Sequence, residues 1–432
     1  MFKLKKGNFN LFENRNFIKL WLSQVLSQPA SHMLNFILAI RVFQLSGSSF
    51  FVSVLVSLVS IPPIIFSSMA GVLADSMNRK YILITSNLLR AIVVAAFILY
   101  GHSYYAILFF AFLISTISQF FGPAETSSIP TLAKRENLFS ANSLFLFTLY
   151  TSFLIGYSLA GPLLSLFGEN IYFLLILSYL LATLMDILLP PLNYHLKDTE
   201  AIGKNIRNGF KVMWDKLKEG IIYIKGFPLL LITVLQFSFI FSAERAVIAL
   251  IPEFATNILN FNISQIGYFL IAPVGLGALM GAISANRMKE KFSKRKIINI
   301  GIMVAAITLT LLPLYEVLAR QAHLFSYSFV FYWALIGYLG LMAFLSGLAD
   351  VVIIVTAQTM LHEATQHEKR GRVFGNLTMF MNLVGLPLIL LVGFLATRYS
   401  VSKIIMVLGI VTIIVSALSW MVNKRKLDPL YN

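Results

Sequence analysis

The chain lacks cysteine altogether and has few charged residues. None of its 432 residues is cysteine, which excludes disulfide bonds, thiolate catalysis and cysteine-ligated metal sites. Asp, Glu, Lys and Arg together make up 12% of the sequence, about half of the roughly 25% that is usual in soluble domains. So few charges could not cover a water-exposed surface. The composition therefore predicts a membrane protein, most of whose surface contacts lipid.

Two further absences each exclude a class of function. No segment matches Gly-x-x-x-x-Gly-Lys-Ser/Thr, the loop that binds nucleotide phosphates, so ATP-driven transport by this chain is not expected. No polar region is long enough to fold as a soluble enzyme domain. We therefore predict that the protein is not an enzyme and that it needs neither a cofactor nor a metal.

Apolar residues, by contrast, are abundant. They make up 58% of the sequence, and the mean hydropathy is +0.81. A bilayer core needs about 20 mainly apolar residues per helix, and twelve such runs are present. The runs begin near Phe17, Phe50, Tyr81, Tyr104, Ala141, Ile171, Leu229, Ser264, Ile297, Phe329, Val373 and Ser400. The sequence thus predicts an all-α membrane protein with twelve transmembrane helices.

The positive charges are distributed unevenly between the two sides of these predicted helices. If the N-terminus is cytoplasmic, the inward-facing segments hold 28 Lys and Arg residues and the outward-facing segments hold 4. Basic residues accumulate in cytoplasmic loops, so both termini are predicted to be cytoplasmic in a bacterial inner membrane. The net charge of +16 then indicates anionic membrane lipids as partners, rather than nucleic acid.

A polar stretch divides the chain near its middle. It separates a predicted N-terminal six-helix bundle, residues 1–192, from a C-terminal six-helix bundle, residues 228–432. The intervening residues, 193–227, form a predicted cytoplasmic linker. Apolar residues recur at helical spacing from Phe210 to Ile224, which predicts an amphipathic helix lying on the membrane surface.

The two halves share landmarks when the second is shifted by about 210 residues. Pro63 then coincides with Pro273 and Gly71 with Gly281, and each glycine precedes a basic loop. Two repeats in the same orientation predict two pseudo-symmetric bundles related by an axis along the membrane normal. Such an arrangement places a shared cavity at the depth of the bilayer midplane and operates by alternating access.

The segment Gly71–Lys80 resembles the loop motif of the major facilitator superfamily, a Gly followed by an Asp four residues later and then a basic pair. Other segments resemble the macrolide-efflux and enterobactin-exporter branch of that superfamily. These segments are Leu45–Ser48, Ser128–Pro130, Glu136–Leu138, Ala141–Ser143 and Arg370–Gly375. The resemblance implies a major facilitator fold and an exporter driven by proton entry, whose first, fourth, seventh and tenth helices line the cavity.

The loop motif contributes four candidate residues, Gly71, Asp75, Arg79 and Lys80. A carboxylate at Asp75 would pair with a nearby Arg in one state of the transporter and separate from it in another, which makes it a candidate gate residue. Alternatively, the loop is only a topology marker, with Arg79 and Lys80 as cytoplasmic anchors. The sequence departs from the usual motif at Asn78, where Gly is common.

Ionisable residues inside a span are functional candidates, because each costs about 2.5–3.5 kcal/mol on insertion scales. Glu244 is the first proton-coupling candidate, and His32 is the second, because the unperturbed pKa of a histidine side chain is about 6.5. Arg245 and Asn35 are substrate-cavity candidates. Adjacent residues project about 100° apart on a helix, so Glu244 and Arg245 should have different partners. The alternatives are structural pairing for Glu244 and Arg245, and a bond to a backbone carbonyl for His32.

Four further intramembrane charges remain. Asp350 is the third proton-coupling candidate and Glu125 the third cavity candidate, although either would also suit a structural pair with a nearby Lys or Arg. Structural pairing is the preferred interpretation of Arg90 and Asp186, since the superfamily places their helices at the periphery.

The leading functional prediction is a secondary active transporter, a proton-coupled exporter of a small amphipathic molecule such as a drug, macrolide or siderophore. One alternative is transport of a lysophospholipid or another lipid-derived substrate. A different class, a non-transporting membrane sensor or assembly factor, is the remaining alternative. The expected partners are the substrate, protons and membrane lipids, and the expected oligomeric state is a monomer.

Overall fold

The computed structural model describes residues 9–192, 218, 228–324, 329–364 and 370–424, and within these ranges it contains helices and no β-strand. Twelve helices in these ranges have 17 residues or more. The first six are α1 (Arg15–Ser46), α2 (Ser49–Ser76), α3 (Arg79–Tyr100), α4 (Tyr104–Leu132), α5 (Leu138–Phe167) and α6 (Ile171–Ile187). The second six are α7 (Pro228–Glu253), α8 (Ala272–Met288), α9 (Lys294–Leu311), α10 (Phe329–Ala364), α11 (Arg370–Ala396) and α12 (Val401–Lys424).

The helix starts follow the apolar pattern of the sequence. Each of the twelve begins within three residues of its predicted start, counting α8 from the short helix Ile263–Ile266 and the π-helical turn Gly267–Ile271 that lead into it. The all-α architecture is therefore confirmed. A short helix, Leu314–Leu324, lies between α9 and α10.

Seven stretches of the described helices are long and apolar enough to cross a membrane. One of them, Ser140–Ile187, covers both α5 and α6, and α11 and α12 contain the shorter apolar segments Met381–Ala396 and Val401–Ala417. α1 is not among the seven, and Ser, Gln, Asn and His recur along it. Polar residues in a span are expected to face protein, because lipid offers them no hydrogen bond.

Glycine ends two of these helices by taking a backbone conformation that other residues rarely adopt. Gly47 follows α1 with φ of 64°, and Gly168 follows α5 with φ of 55°. A left-handed residue just after the last turn stops the helical hydrogen-bond ladder at no steric cost when the residue is glycine. These two positions set the short connections from α1 to α2 and from α5 to α6.

The chain divides into two compact units. The first unit comprises Met1–Leu45 and Leu58–Trp214, and the second comprises Ser46–Ser57 and Asp215–Asn432. The predicted linker and its amphipathic helix lie outside the described residues, apart from Lys218. In the first unit α3 packs against α4 and α6. Its buried apolar core includes Phe17, Leu83 and Phe121.

In the second unit α8 and α10 pack closely through glycines on both helices. A Cβ at Gly277 would lie 1.9 Å from the carbonyl oxygen of Phe344, and a Cβ at Gly281 would lie 2.6 Å from that of Leu348. The approach is reciprocal, since a Cβ at Gly347 on α10 would lie 1.9 Å from the carbonyl oxygen of Val274. Small residues let the backbones of membrane helices touch, and only glycine fits at these points.

Replacing Gly277 with Ala is expected to lower the thermal unfolding temperature of the protein purified in detergent. The added methyl group would force α8 and α10 apart, and overpacking of this kind costs about 1–3 kcal/mol. Gly337→Ala on α10 is the matched control, because a Cβ at Gly337 meets nothing within 4 Å. Equal unfolding temperatures for the two variants would contradict the close packing.

Candidate functional site

Two of the predicted proton-coupling residues lie together in the second unit. Glu244 on α7 and Asp350 on α10 are within hydrogen-bonding reach of each other through their carboxyl groups. An ionised carboxylate has only acceptor oxygens, so two carboxyl groups can hydrogen-bond to each other only when one of them carries a proton. The geometry thus creates a place where one proton can be shared between two acids.

Arg245 follows Glu244 in the chain but has different neighbours. Its Nη1 donates a hydrogen bond of 3.2 Å to Oδ1 of Asn382 on α11. Its guanidinium lies 4.5 Å from the ring centroid of Phe241, in cation–π contact. The Arg245 charge acts on Glu244 as well, so a positive charge lies beside the carboxyl pair without forming part of it.

His32, on α1 in the first unit, is enclosed by aromatic side chains. Its ring centroid lies 5.4 Å from that of Phe153 and 5.7 Å from that of Tyr157. Its Nε2 is buried and has no hydrogen-bond partner, so this nitrogen does not make the backbone contact considered as the alternative role. α5 approaches closely here, since a Cβ at Gly156 would lie 2.7 Å from the His32 Cβ. Asn35 lies about one turn farther along α1 and is partly buried.

Glu125, the remaining acidic candidate, lies near the end of α4 and is almost completely buried in the first unit. The charges of Arg90 on α3 and Asp186 on α6 act on it. The sequence interpretation treated these three residues separately, whereas the structure brings them together. It also adds Asn87, whose amide lies between Arg90 and Asp186. Asn87 was not singled out from the sequence, because a neutral side chain in an apolar run is a weaker signal than a charged one.

The predicted gate residue Asp75 lies in α2, and its side chain is outside the described residues. Gly71, one turn earlier, has open space where a Cβ would project. The gate role assigned to Asp75 therefore stays a prediction from the motif.

Arg79 is buried at the start of α3 and binds the ends of two other helices. Its Nε donates a hydrogen bond of 3.0 Å to the carbonyl oxygen of Ala74 at the end of α2. Its Nη1 donates bonds of 2.7 Å to the carbonyl of Ser127 and 3.2 Å to the hydroxyl of Thr131 on α4. The last carbonyls of a helix lack partners and carry partial negative charge, which a guanidinium satisfies.

Lys80 and Asn78 bind the segment that follows α6. Lys80 Nζ donates a bond of 2.7 Å to the carbonyl of Leu189. The Asn78 side chain caps α3 by accepting from the Lys80 amide and also accepts from the amide of Leu192, both at 3.1 Å. Glycine, the common residue at this motif position, could make neither side-chain bond. The departure from the motif therefore ties the segment after α6 to the start of α3.

No cluster of three or more His, Asp or Glu side chains that could hold a metal ion occurs in the ranges that the structure describes. The carboxyl groups of Glu244, Asp350, Glu125 and Asp186 can bind protons and hydrogen-bond to polar groups.

The sequence is similar to a known family and to known proteins. Residues 6–337 match the family described as transmembrane secretion effector, MFS_3. YkuC of Bacillus subtilis (strain 168), an uncharacterised MFS-type transporter, is 24% identical over 315 residues, which are 70% of this chain and 71% of YkuC. YfiS of the same organism, also an uncharacterised MFS-type transporter, is 26% identical over 225 residues, 51% of this chain and 52% of YfiS.

Solved transporter structures share the fold along nearly the whole chain. A bacterial homologue of the human lysosomal transporter Spinster superposes with a TM-score of 0.69 and 12% identity, covering 97% of this chain and 98% of that one. A POT family transporter in complex with 5-aminolevulinic acid gives a TM-score of 0.71 and 12% identity, covering 96% and 97%. At such low identity the likeness concerns the fold alone.

Replacing Arg79 with Met is expected to destabilise the first unit, because the buried carbonyl of Ala74 at the end of α2 would lose its donor. The bonds from Arg79 to Ser127 and Thr131 on α4 would also be lost. The cost of such unsatisfied groups is about 1–3 kcal/mol, which thermal unfolding in detergent measures. Lys134→Met is the matched control, since Lys134 lies exposed just beyond α4. An unchanged unfolding temperature for Arg79→Met would show that Arg79 is only a topology marker.

Proposed function

The chain belongs to the transmembrane secretion effector family of MFS-type transporters, and on that premise we propose that it is a proton-coupled exporter of a small amphipathic molecule. It is a multi-pass membrane transporter with the predicted major facilitator fold, and it is not an enzyme. The observation that carries the proposal of proton coupling is the carboxyl pair formed by Glu244 and Asp350. Membership of the macrolide-efflux and enterobactin-exporter branch stays a prediction.

The carboxyl pair suits a coupling site for an electrostatic reason. Two negative charges at hydrogen-bonding distance in a poorly hydrated span repel each other strongly, so one proton stabilises the pair. Opening the site to water on the other side of the membrane would hydrate the carboxylates and allow the proton to leave. The nearby Arg245 would assist that release, because its positive charge stabilises the ionised pair.

Export of an amphipathic substrate is supported by the family description and by the aromatic residues around His32. The rings of Phe153 and Tyr157 offer apolar contact, while the unpartnered Nε2 of His32 offers one hydrogen bond. A few placed polar groups in an apolar surround are typical of small-molecule sites. A drug, macrolide or siderophore fits that description, and Asn35 and Arg245 are the further polar contacts that we propose.

We also propose the organisation predicted from the sequence, with bundles of residues 1–192 and 228–432 joined by a cytoplasmic linker of residues 193–227. In this scheme the transporter alternates between two states in a bacterial inner membrane, with Asp75 pairing in one state only. Glu125 stays a candidate cavity residue under this proposal.

Glu244→Gln and Asp350→Asn should each reduce the rate of proton-driven efflux by about tenfold or more. A tenfold loss of rate corresponds to about 1.4 kcal/mol of activation free energy. The measurement uses proteoliposomes with an imposed proton gradient and a panel of one fluorescent drug, one macrolide and one siderophore. Neither variant should abolish counterflow of the same compounds without a gradient, because the substitutions remove the proton site and preserve the shape of each side chain.

Glu290→Gln is the control for this experiment, since Glu290 is exposed after α8. Full gradient-driven efflux by Glu244→Gln would move the coupling site elsewhere. Gradient-independent movement of a lysophospholipid by the wild-type protein would favour the lipid-substrate alternative. No movement of any tested compound would favour a sensor or assembly factor.

The proposed orientation can be tested without background labelling, because the chain contains no cysteine. A single cysteine at exposed His102 should react with a membrane-impermeant maleimide in cells with a permeabilised outer envelope and an intact inner membrane. Single cysteines at exposed Lys134 and Glu290 should react only after the inner membrane is opened. The opposite labelling pattern would reverse the orientation and place both termini outside the cytoplasm.

A further inference from the structure

A group of three charged residues is enclosed within the first unit, apart from the carboxyl pair of the second unit. Arg90 on α3 is 3% exposed, Glu125 on α4 is 4% exposed and Asp186 on α6 is 0% exposed. Burial of this degree removes water as a hydrogen-bond partner and as a screen for charge. The protonation state of each of the three groups must therefore be determined by its protein neighbours.

Asn87 connects two of the three. Its Nδ2 donates a hydrogen bond of 2.8 Å to Oδ2 of Asp186, and its Oδ1 accepts one of 3.2 Å from Nη1 of Arg90. Asp186 also interacts with the hydroxyl of Ser23 on α1. The Arg90 guanidinium lies 4.5 Å from the ring centroid of Phe121. Asp186 and Arg90 thus each have partners that stabilise their charged forms.

Glu125 differs from Asp186 in that, among the described residues, no hydrogen bond compensates for its unpartnered oxygen. Its Oε1 is buried and without a hydrogen-bond partner in the structure. Asp186 also has one unpartnered oxygen, but its other oxygen accepts from Asn87. Hydrogen bonds from donors stabilise the charge of a carboxylate. Of two buried acids, the one with fewer donors therefore has the higher free-energy cost of ionisation.

Among the residues that the structure describes, the remaining neighbours do not supply a second positive charge. Arg90 and Asp186 are the charged groups that act on Glu125, and Tyr179, which shares a hydrogen bond of 2.9 Å with the Ser31 hydroxyl, faces Arg90. α1 contributes the neutral Ser23 and Gln24 at this level. α2 has no ionisable residue before Asp75, and α5 has no acidic or basic residue.

The charge count is therefore unbalanced. With both acids ionised, the group of Arg90, Glu125 and Asp186 would carry a net charge of −1 in the interior of the first unit. An uncompensated charge in such surroundings is costly enough that the group binds a proton instead. One bound proton makes the group neutral while leaving one carboxylate to balance the guanidinium.

We propose that this group is a proton-binding site of the first unit, which holds one proton on Glu125 while Asp186 and Arg90 remain charged. The site is chemically separate from the carboxyl pair of Glu244 and Asp350. It does not depend on the proposed transport function, since a protein that transports nothing could bind this proton equally well.

Infrared spectroscopy of the full-length protein at neutral pH tests the proposal, because a protonated carboxyl group has a C=O band that a carboxylate lacks. Glu125→Gln should lose one such band relative to wild type. Asp186→Asn should lose it as well, since Glu125 would then ionise to balance Arg90. Exposed Glu136→Gln is the matched control and should keep the band. Retention of the band in Glu125→Gln and Asp186→Asn would overturn the proposal.

Isotope labelling identifies the acid that carries the proton. With aspartate labelled by carbon-13 in its side-chain carboxyl group, the band lost in Glu125→Gln should not have shifted in the wild-type spectrum. A shift would place the proton on Asp186 and overturn the assignment to Glu125. In the double variant Arg90→Gln/Glu125→Gln, Asp186 has no counter-charge, so a band should return and should shift with the label. Its absence there would contradict the charge balance.

Discussion

The absence of water inside a bilayer is the constraint on which this structure depends. A polar atom in a membrane helix must find its partner in protein, because hydrocarbon offers none. Several buried and partly buried side chains of the first unit follow this rule. Trp21 donates to Thr148 at 2.8 Å, Asn14 donates to the carbonyl of Leu132 at 2.7 Å, and Arg79 serves three oxygens. Some buried polar atoms have no partner in the structure, and two of them, Oε1 of Glu125 and Nε2 of His32, belong to groups that can bind a proton.

The same constraint explains how much of the fold could be predicted. A membrane helix needs a long apolar run, so twelve runs in the sequence located twelve helix starts to within three residues. Gly277 and Gly281 lie four residues apart in α8, a spacing that is typical of close helix packing in membranes. The pairing of α8 with α10 was not visible, because the glycines show only that some backbone comes close and not which one. Residue 218 is the only described position of the central linker, so the predicted amphipathic helix there stays a prediction.

The candidate sites were predictable in their charged members and unpredictable in their neutral ones. Glu244, Asp350 and Glu125 stood out because a charge in an apolar run is costly. Asn87 and Asn382, which bind Arg90 and Arg245, are neutral. They were therefore not among the residues selected for a charge within a span. The expectation that Glu244 and Arg245 have different partners followed from helix geometry alone. The partners themselves, on α10 and α11, required the tertiary structure.

Arg79 and Asn78 have a structural role in the motif that the sequence alone did not predict. Their positions suggested topology markers and, for Asn78, a weakened motif, whereas their hydrogen bonds fasten the ends of α2, α4 and α6 to the start of α3. A loop that joins several helix ends makes those helices move together, which a rocking bundle requires. The departure from glycine at Asn78 adds such a connection by binding Leu192.

The two buried acid groups solve one electrostatic problem in different ways, and the difference bears on how each would release a proton. Glu244 and Asp350 interact with each other, so the proton that we propose there would be held by mutual repulsion of the carboxylates. It would be released when the carboxyl groups separate or become hydrated. Glu125 and Asp186 both lie near the one guanidinium of Arg90, which Asn87 links to Asp186 alone. The proton that we propose there would be held by charge balance and would be released only if another positive charge approached or water entered. The first arrangement responds to a change in distance between α7 and α10, whereas the second responds to a change in charge or hydration within a packed unit. A transporter that alternates between states changes distances and water access, and this makes Glu244 and Asp350 the better coupling site and Glu125 the better permanent one.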